Sequence, residues 1–403
     1  MEKKLINDTV EKYNNPYKIL FKNIKYLNNT EIYRNSPRNS NINSTFERFN
    51  SNFTFEKWPI YNKKDYNDNK DLCDCNFFIS IISFEFDEDN NIYLLYEGNN
   101  NCPINIFIFN LSGYLISTNK IYEKKNQNIS LNNFVIDKIN NYFYIPFTNI
   151  SNDNENEDKV GIFIKEINKN ENLMSQPIIL NNKKFLFEEK YNYEDIFEKY
   201  NYSNIFLGHT KNIINIALSC DGEYLLLSPL SSRMIYSILT KELRQSKGEI
   251  SINDVKEAYK NDVSSTLISS NLGNLYLTGL EQNLIYMAGQ INYDLSIFDF
   301  KILDKIGNNN NNYFPSHLSI TNGELYISYI SIITDNDTTV YTQIYTIPID
   351  KEKSYIFKCG GLIYIWNWNA YIIWGLFFII FGLILGFVYI GNKQDQDINK
   401  KNK

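Results

Sequence analysis

Residues 87–97 read DEDNNIYLLYE, and a similar arrangement returns as CDGEYLLLS at 220–228, NLGNLYLTGL at 271–280 and TNGELYISYI at 321–330. Each copy joins a turn rich in Asn, Asp or Gly to a strand of apolar and aromatic residues. A unit that recurs along a chain is typical of repeat architectures. We therefore predict that these four strands occupy equivalent positions in successive units of one fold.

Short apolar segments separated by polar turns continue through most of the chain. A stretch from about residue 17 to about residue 350 is too long for a single β-sandwich, but it suits a propeller of four-stranded blades. The sequence thus predicts an all-β propeller, interrupted by an acidic hairpin loop at 151–159 and by short surface helices at 185–201 and 251–262. The predicted strands lie at 79–86, 92–96, 104–109, 114–117, 142–147, 160–164, 213–218, 224–227, 275–278, 284–287, 294–299, 325–332 and 340–347.

The C-terminal region has a different character. Residues 370–390 read AYIIWGLFFIIFGLILGFVYI and contain no charged side chain. About 20 apolar residues of helix are enough to cross the hydrocarbon core of a bilayer. Trp366, Trp368 and Trp374 lie near one end and Tyr389 near the other, as in the aromatic belts of membrane proteins. The pattern predicts a single transmembrane helix, and hence a membrane as one partner of the protein.

This helix divides the chain into segments but does not fix their topology. The short tail contains four Lys and two Asp residues, which only weakly favours a cytoplasmic tail. The N-terminal sequence lacks the apolar core of a signal peptide. Either the propeller lies in the cytosol on a tail anchor, or it lies outside the cytosol and its signal precedes residue 1. We predict an N-terminal extension (1–16), a propeller ectodomain (17–358), a juxtamembrane linker (359–369), the transmembrane helix (370–390) and the tail (391–403).

Overall composition restricts the choice of partners. The net charge of −6 argues against nucleic acid as a ligand. Asn is the commonest residue and occurs beside Tyr, Phe and Ile, a bias typical of an AT-rich genome such as that of a parasitic protist. The bias lowers the significance of the glycosylation sequons, because chance alone generates several of them. Examples are Asn28, Asn52, Asn110, Asn128 and Asn201.

Residues suited to enzyme chemistry are few. The two histidines, His209 and His317, are not spaced as metal ligands, although both could face a central channel and form a ligand-binding pair there. Asp87, Asp89 and Asn91 alternate as in a calcium loop, but the glycine that such a loop needs is missing, so a β-turn is favoured. We predict no catalytic residue, no metal site and no cofactor.

Four blocks of sequence carry a family resemblance. The first, 74–110, contains Asp74–Cys75, Asp87–Glu88, Gly98 and Cys102–Pro103 in that order. The later blocks are 216–244, 264–287 and 314–328, and the second block matches at Ala217, Leu218, Ser219, Pro229, Leu230, Ser231, Ser232, Leu243 and Arg244. In order and spacing these blocks resemble the yellow / major royal jelly protein family. The resemblance covers roughly residues 17–350 and implies a six-bladed β-propeller outside the cytosol, because members are typically secreted.

The resemblance does not extend to functional residues. Asp89 stands where the family has a further Cys, and GHTKN at 208–212 replaces a segment that in the family contains Trp and Asp. Some members bind biogenic amines or are linked to dopachrome chemistry, but no residue here can be assigned to those roles. The membrane anchor is a further departure.

The five cysteines are Cys73, Cys75, Cys102, Cys220 and Cys359, and an odd number leaves at least one unpaired within the chain. If the propeller lies outside the cytosol, a Cys75–Cys102 disulfide would close a loop within one blade. In the cytosol the whole set would be reduced.

Two functions follow. The first is a membrane-anchored propeller that binds proteins or acts as a scaffold subunit at a cell or organelle surface, for instance in host-cell contact or invasion by a parasite. The second is a small-ligand protein or dopachrome-type enzyme that uses the channel.

Overall fold

In the computed structural model, the described residues between 4 and 349 form mainly strands. The described residues are 4–13, 24–26, 32–35, 46–49, 55–57, 81–87, 89–98, 102–124, 129–149, 159–167, 175, 177–180, 214–230, 232–250, 254–260, 264–270, 273–290, 298–305, 313–321, 323–334 and 338–349.

These strands form six sheets, numbered I to VI here. Sheet I starts with β1 (Lys4–Tyr13) and ends with the last three strands of the chain. Sheet II contains β2 (Ile24–Tyr26), β3 (Ile32–Asn35), β4 (Phe46–Phe49) and β5 (Phe55–Lys57). Sheet III contains β6 (Ile81–Phe86), β7 (Ile92–Tyr96), β8 (Ile104–Phe109) and β9 (Leu115–Tyr122). Sheet IV contains β10 (Ile129–Leu131), β11 (Val135–Asp137), β12 (Tyr142–Asn149), β13 (Lys159–Glu166) and β14 (Pro177–Leu180).

The second half of the chain continues the pattern. Sheet V contains β15 (Ile214–Leu218), β16 (Tyr224–Pro229), β17 (Met234–Leu239) and β19 (Val255–Lys260). The connection from β17 to β19 contains helix α1 (Thr240–Gln245) and the short strand β18 (Glu249–Ile250). Strand β18 pairs with β14 of sheet IV. Sheet VI contains β20 (Leu267–Ser269), β21 (Asn274–Gly279), β22 (Leu284–Gln290) and β23 (Phe298–Lys305). Strands β24 (Phe314–Thr321), β25 (Glu324–Thr334) and β26 (Thr338–Pro348) complete sheet I.

Contacts between neighbouring sheets close the ring. Strand β3 contacts β6, β9 contacts β13, β11 contacts β15, β15 contacts β20, and β20 contacts β24. Strand β24 in turn contacts β2, so the last sheet reached along the chain lies beside sheet II. Sheet I itself is closed by the antiparallel pairing of β1 with β26, which joins the N-terminal strand to the last one. This circular arrangement of antiparallel sheets is a β-propeller.

Apolar side chains fill the spaces between successive sheets. Strand β7 shows the pattern, because all five of its residues are buried. Tyr93 and Leu95 pack in the cluster between sheets III and IV, whereas Ile92 and Leu94 pack on the opposite face. Further clusters lie between IV and V, between V and VI, and between VI and I. Since successive side chains of a strand point to opposite faces, burial on both faces requires continuous apolar strands.

The repeated turns occupy equivalent positions, as the sequence predicts. Strands β7, β16, β21 and β25 are each the second strand of their sheet, counted from the centre of the ring. The turn before each one contains a residue with positive φ, Asn90 (60°), Gly222 (72°), Gly273 (85°) or Gly323 (76°). Glycine and asparagine are the residues that adopt this backbone conformation most readily, which explains the composition of the turns.

The predicted all-β propeller is confirmed, but its units are less uniform than expected. Five sheets have four strands, and sheet IV departs from this form because its first strand is split into β10 and β11 and its outer edge is extended by β18. The prediction of a six-bladed propeller is therefore corrected to five four-stranded blades and one irregular sheet.

Other expectations also need correction. The segment 1–16 is not an extension, since Lys4–Tyr13 forms a strand of sheet I. The helix predicted at 251–262 is wrong, because Val255–Lys260 is a strand; its β-branched and aromatic residues allow it to pair with β17.

The predicted transmembrane segment 370–390 lies outside the described residues. Among the residues that are described, no helix is both long and apolar enough to cross a bilayer.

We expect Gly98→Ala to destabilise the propeller more than Gly248→Ala. Both glycines have positive φ, 71° and 99°. A Cβ atom at Gly98 would lie 2.6 Å from the carbonyl oxygen of Cys102, whereas a Cβ at Gly248 would have no atom within 4 Å. Gly248→Ala should lower the free energy of unfolding by about 1–2 kcal/mol through backbone strain alone, and Gly98→Ala by at least about 1 kcal/mol more. Denaturant unfolding of the full chain in detergent, followed by circular dichroism, measures both, and equal effects would contradict the steric argument.

Candidate functional site

The innermost strand of each sheet lines the centre of a propeller, and in sheet I this strand is β24. Neutral polar residues lie at or near the beginnings of these strands in sheets IV, V, VI and I. We call this set the polar belt, and it consists of Asn132, Asn215, Ser264, Ser265, Thr266 and Ser316.

Side-chain amides connect sheets IV, V and VI within the belt. Asn132 Nδ2 donates a hydrogen bond to Asn215 Oδ1 at 2.7 Å. Asn215 Nδ2 donates in turn to the carbonyl oxygen of Ser264 at 3.2 Å. Asn215 is only 3% exposed, so these bonds satisfy a side chain whose amide would otherwise be costly to bury.

Hydroxyl groups continue the belt into sheet I. Ser265 Oγ donates to the carbonyl oxygen of Pro315 at 2.8 Å, and Thr266 Oγ1 donates to the carbonyl oxygen of Ser316 at 3.0 Å. The backbone N–H groups of Ser265 and Thr266 both donate to Thr278 Oγ1, at 2.9 and 3.0 Å. Side chains of the belt therefore bond one sheet to the next across four consecutive sheets.

A small pocket opens beside the belt between sheets IV and V. It is lined by Ser130, Leu131, Asn132, Pro146, Phe147, Thr148 and Ile214. Pockets for drug-sized ligands usually measure about 300–1,000 Å³, whereas this cavity has a volume of about 10 Å³. The pocket is thus of a size for about one water molecule, and its lining side chains are neutral.

A charged cluster lies further along the same sheets. Asp137 ends β11 and its side chain is fully buried. Arg244, in the last turn of α1, places Nη1 3.4 Å from Asp137 Oδ2 and donates a hydrogen bond to Tyr144 Oη at 2.8 Å. Tyr144 Oη donates to Asp137 Oδ2 at 3.3 Å, and Asn140 Nδ2 donates to the same oxygen at 2.9 Å. We call Asp137, Asn140, Tyr144 and Arg244 the buried ion-pair cluster.

The cluster joins sheet IV to the connection that follows β17 in sheet V. The guanidinium of Arg244 also lies 5.4 Å from the centre of the Tyr142 ring, a distance at which a cation–π attraction operates. Burial raises the pKa of the Tyr144 hydroxyl above its usual range, and the charge of Asp137 raises it further, while Arg244 acts in the opposite direction. Tyr144 therefore stays neutral and acts as a hydrogen-bonding group.

The predicted turn at Asp87 has a self-contained network. Asp87 Oδ1 accepts the backbone N–H of Asn91 at 2.8 Å, and Oδ2 accepts Asn91 Nδ2 and Tyr93 Oη, both at 2.9 Å. Partial burial alone would raise the pKa of the Asp87 carboxyl, but these bonds and the charge of Lys138 together lower it. The carboxylate therefore stabilises the turn, in agreement with the β-turn interpretation.

The structure places only part of the predicted site. His317 lies on β24 directly after Ser316 of the belt, is partly buried, and has its Nε2 atom shielded from solvent. His209 and Cys75 lie outside the described residues, so their pairings with His317 and Cys102 stay predictions. Cys102 and Cys220 are both disulfide-bonded. Within the described ranges, no three His, Cys, Asp or Glu side chains are grouped so that they could hold a metal ion.

Sequence reasoning missed both the belt and the charged cluster. The Asn and Ser residues of the belt are inconspicuous in a chain where these types are abundant, and their role depends on contacts between sheets. Arg244 was marked by the family resemblance, but nothing in the sequence connects it with Asp137, 107 positions away. A lone Asp at the end of a short apolar strand, followed by Asn, gives only a weak signal for a buried carboxylate in a turn.

Comparison with known proteins identifies no family for this chain. No protein-family profile and no curated protein matches it. Solved structures that resemble it include a luciferin-regenerating enzyme (11% identity, 84% of this chain and 95% of that one, TM-score 0.41). Two others are the periplasmic gluconolactonase of Pseudomonas aeruginosa (10%, 72% and 74%, TM-score 0.42) and the β-propeller domain of Cps50 (Swd1) from Myceliophteria thermophila (8%, 85% and 100%, TM-score 0.41). These similarities do not extend to function.

Loss of the Arg244 charge should be strongly destabilising. Arg244→Met leaves the fully buried carboxylate of Asp137 without its cation, which typically costs about 3–5 kcal/mol. Arg233, which is 43% exposed and pairs with Glu281, provides the matched control. We expect Arg233→Met to cost less than about 1 kcal/mol, because solvent screens an exposed pair.

The double variant Asp137→Asn/Arg244→Met separates charge from packing. It should recover part of the loss, since it removes the unpaired carboxylate. Denaturant unfolding of the four proteins, wild type included, measures these differences. Equal losses for Arg244→Met and Arg233→Met would show that the buried pair does not stabilise the fold.

Proposed function

We propose that this protein is a membrane-anchored propeller that binds other proteins at a cell or organelle surface, with the propeller outside the cytosol. In this proposal sheet IV, despite its irregular form, counts as the sixth blade, as the yellow / major royal jelly resemblance implies. The helix at 370–390 would hold the domain at the membrane, and the tail at 391–403 would lie in the cytosol.

One observation carries the binding role. In the described parts of sheets IV, V, VI and I, the polar side chains around the beginnings of the inner strands are neutral and are hydrogen-bonded to the neighbouring sheets. Such groups connect the ring and do not supply a charged or nucleophilic centre. Binding capacity then belongs to the loops at the two ends of the propeller, which offer broad surfaces suited to macromolecules.

The location outside the cytosol rests on cysteine chemistry. Disulfide bonds at Cys102 and Cys220 are expected to persist in an oxidising compartment and to be rare in the cytosol. Of the five example sequons, the described residues include Asn110, whose Oδ1 accepts the backbone N–H of Tyr114 at 3.0 Å. Glycosylation belongs to the same proposal at the other four sequons, which lie outside the described residues, and not at Asn110, whose amide closes the turn before Tyr114.

The alternative is a small-ligand protein or a dopachrome-type enzyme. The position of His317 beside the belt favours it, because a histidine there could contact an amine or catechol in the channel. The two functions differ in what removal of the imidazole does. His317→Gln should leave protein binding intact, whereas it should abolish turnover or ligand binding in the channel.

The deciding experiment uses the full chain with a C-terminal tag, expressed in its own cell type. We expect alkaline extraction to leave the protein in the membrane fraction. At the cell surface, protease added to intact cells should digest the propeller. In an organelle, protease added to the isolated, intact organelle should digest the propeller only after the organelle membrane is opened. Chemical cross-linking and mass spectrometry should then find the same protein attached to the propeller loops in wild type and in His317→Gln. Conversion of catechol or indole substrates by wild type and not by His317→Gln would instead establish the enzyme.

We also predict that Cys102 is bonded to Cys75. The loop between them is short, and closing it should stabilise the fold by about 3 kcal/mol in the chain-entropy model. Non-reducing peptide mapping of protein from its native compartment should find the linked pair, with Cys220 in a separate peptide pair. A Cys102 linked to any other cysteine contradicts the pairing, and free thiols at both positions would also contradict the location outside the cytosol.

A further inference from the structure

One end of the propeller is defined by the turns that join the first and second strands of the sheets. We call it the turn face, and in sheets III, IV and V it is formed by 87–91, 138–141 and 219–223. Two of these turns are in contact, because Asn140 Nδ2 donates to the carbonyl oxygen of Gly222 at 3.4 Å. Lys138 is near enough to the first turn for its charge to lower the pKa of Asp87.

Exposed apolar residues are concentrated at this end in two adjacent sheets. Tyr114 is 73% exposed, Ile116 is 55% exposed and Ile139 is 67% exposed. They are three of the four large hydrophobic residues exposed in the described parts of the chain. Tyr114 and Ile116 lie where β8 turns into β9, at the turn-face end of sheet III, and Ile139 lies in the first turn of sheet IV. We call these three residues the apolar tip.

The charges around the apolar tip are of both signs, with acidic side chains in the majority. Asp87, Asp89, Asp221 and Glu223 of the described turns are acidic and Lys138 is basic, and Lys241 of α1 lies at the same end. A strongly acidic partner is therefore not favoured at this surface. A partner that is apolar and carries no net negative charge at its edge fits better.

The path of the chain identifies such a partner. Strand β26 ends at Pro348, which is paired with Glu324, and the backbone N–H of Ile349 donates to the carbonyl oxygen of Gly323 at 2.9 Å. The chain therefore leaves the propeller at the turn face of sheet I. The predicted membrane span begins at residue 370, so about 20 residues separate the two, with a maximum reach of roughly 70 Å. We call this connecting segment the tether. It starts on the turn face, but it is long enough that it does not by itself orient the propeller relative to the membrane.

We propose that the turn face rests on the lipid surface and that the apolar tip inserts into the boundary between headgroups and acyl chains. Sheets III and IV lie two and three places from sheet I around the ring, so the tip and the tether would hold opposite sides of the propeller. Tyrosine and isoleucine suit this depth, since the tyrosine ring is amphipathic and the isoleucine side chain is wholly apolar. This inference rests on the membrane anchor of the proposed function. It leaves the opposite end of the propeller to protein partners.

Site-specific photo-cross-linking of the full chain in phosphatidylcholine vesicles tests the proposal. A benzophenone amino acid is placed at Tyr114, at Ile139 or, as a control, at Gln282, an exposed residue in the turn between β21 and β22 at the opposite end. Lipid adducts at Tyr114 and Ile139 should exceed those at Gln282 by at least about tenfold, because only a probe within the interface contacts acyl chains. Comparable yields at all three sites, or no lipid adduct at any, would overturn the proposal.

Substitutions at the tip provide a second readout. Ile139→Asp should reduce the lipid adducts formed at Tyr114, whereas Ile302→Asp, at the exposed apolar residue of β23, should not. Equal yields in the two variants would count against insertion. Alkaline extraction separates failure of this inference from failure of the anchor. Protein that is retained but forms no adducts excludes only the orientation, whereas protein that is released excludes the anchor and the orientation together.

Discussion

The fold depends on each sheet burying both of its faces. In an ordinary antiparallel sheet one face packs and the other is solvated, which gives alternating apolar and polar residues. Here strands such as Ile92–Tyr96 are buried throughout, because a neighbouring sheet lies on either side. A ring is the arrangement in which every sheet has two neighbours. Polar groups then concentrate in the turns, the outer edges and the beginnings of the inner strands, with a few, such as Ser237 and Ser328, buried within strands. The belt lies at the beginnings of the inner strands.

The constraint explains which parts of the fold the sequence predicts. Continuous apolar runs such as 104–109 coincide with strands, and the turn before β21 requires an αL residue that Gly273 supplies. Local chemistry decides both features. The pairing of Lys4–Tyr13 with β26 depends on residues more than 300 positions apart, and the segment has no apolar run to mark it. Likewise Val255–Lys260 contains Lys and Glu, and it becomes a strand because the edge of β17 is available to it.

The polar residues divide into two groups with different consequences. The belt is neutral and forms hydrogen bonds between sheets. It therefore stabilises the contacts between sheets through the geometry of these bonds and not through charge. The buried ion-pair cluster is charged and lies away from the belt, where removal of one partner leaves a carboxylate without compensation. From the sequence, His317 was singled out because histidine is rare and chemically versatile, whereas Asn215 was not. The structure shows that the commoner residue makes the contacts between sheets.

Closure of sheet I by the pairing of β1 with β26 has a consequence for biosynthesis. Strand β1 is synthesised more than 300 residues before its partner Thr338–Pro348. At roughly 5–20 residues per second, the N-terminal strand waits for a time on the order of tens of seconds with its pairing edge open. An open strand edge can pair with other chains, so this interval is a period of exposure to misassembly. A chaperone that holds the first residues until the ribosome has passed residue 348 would relieve a hazard inherent in the circular topology.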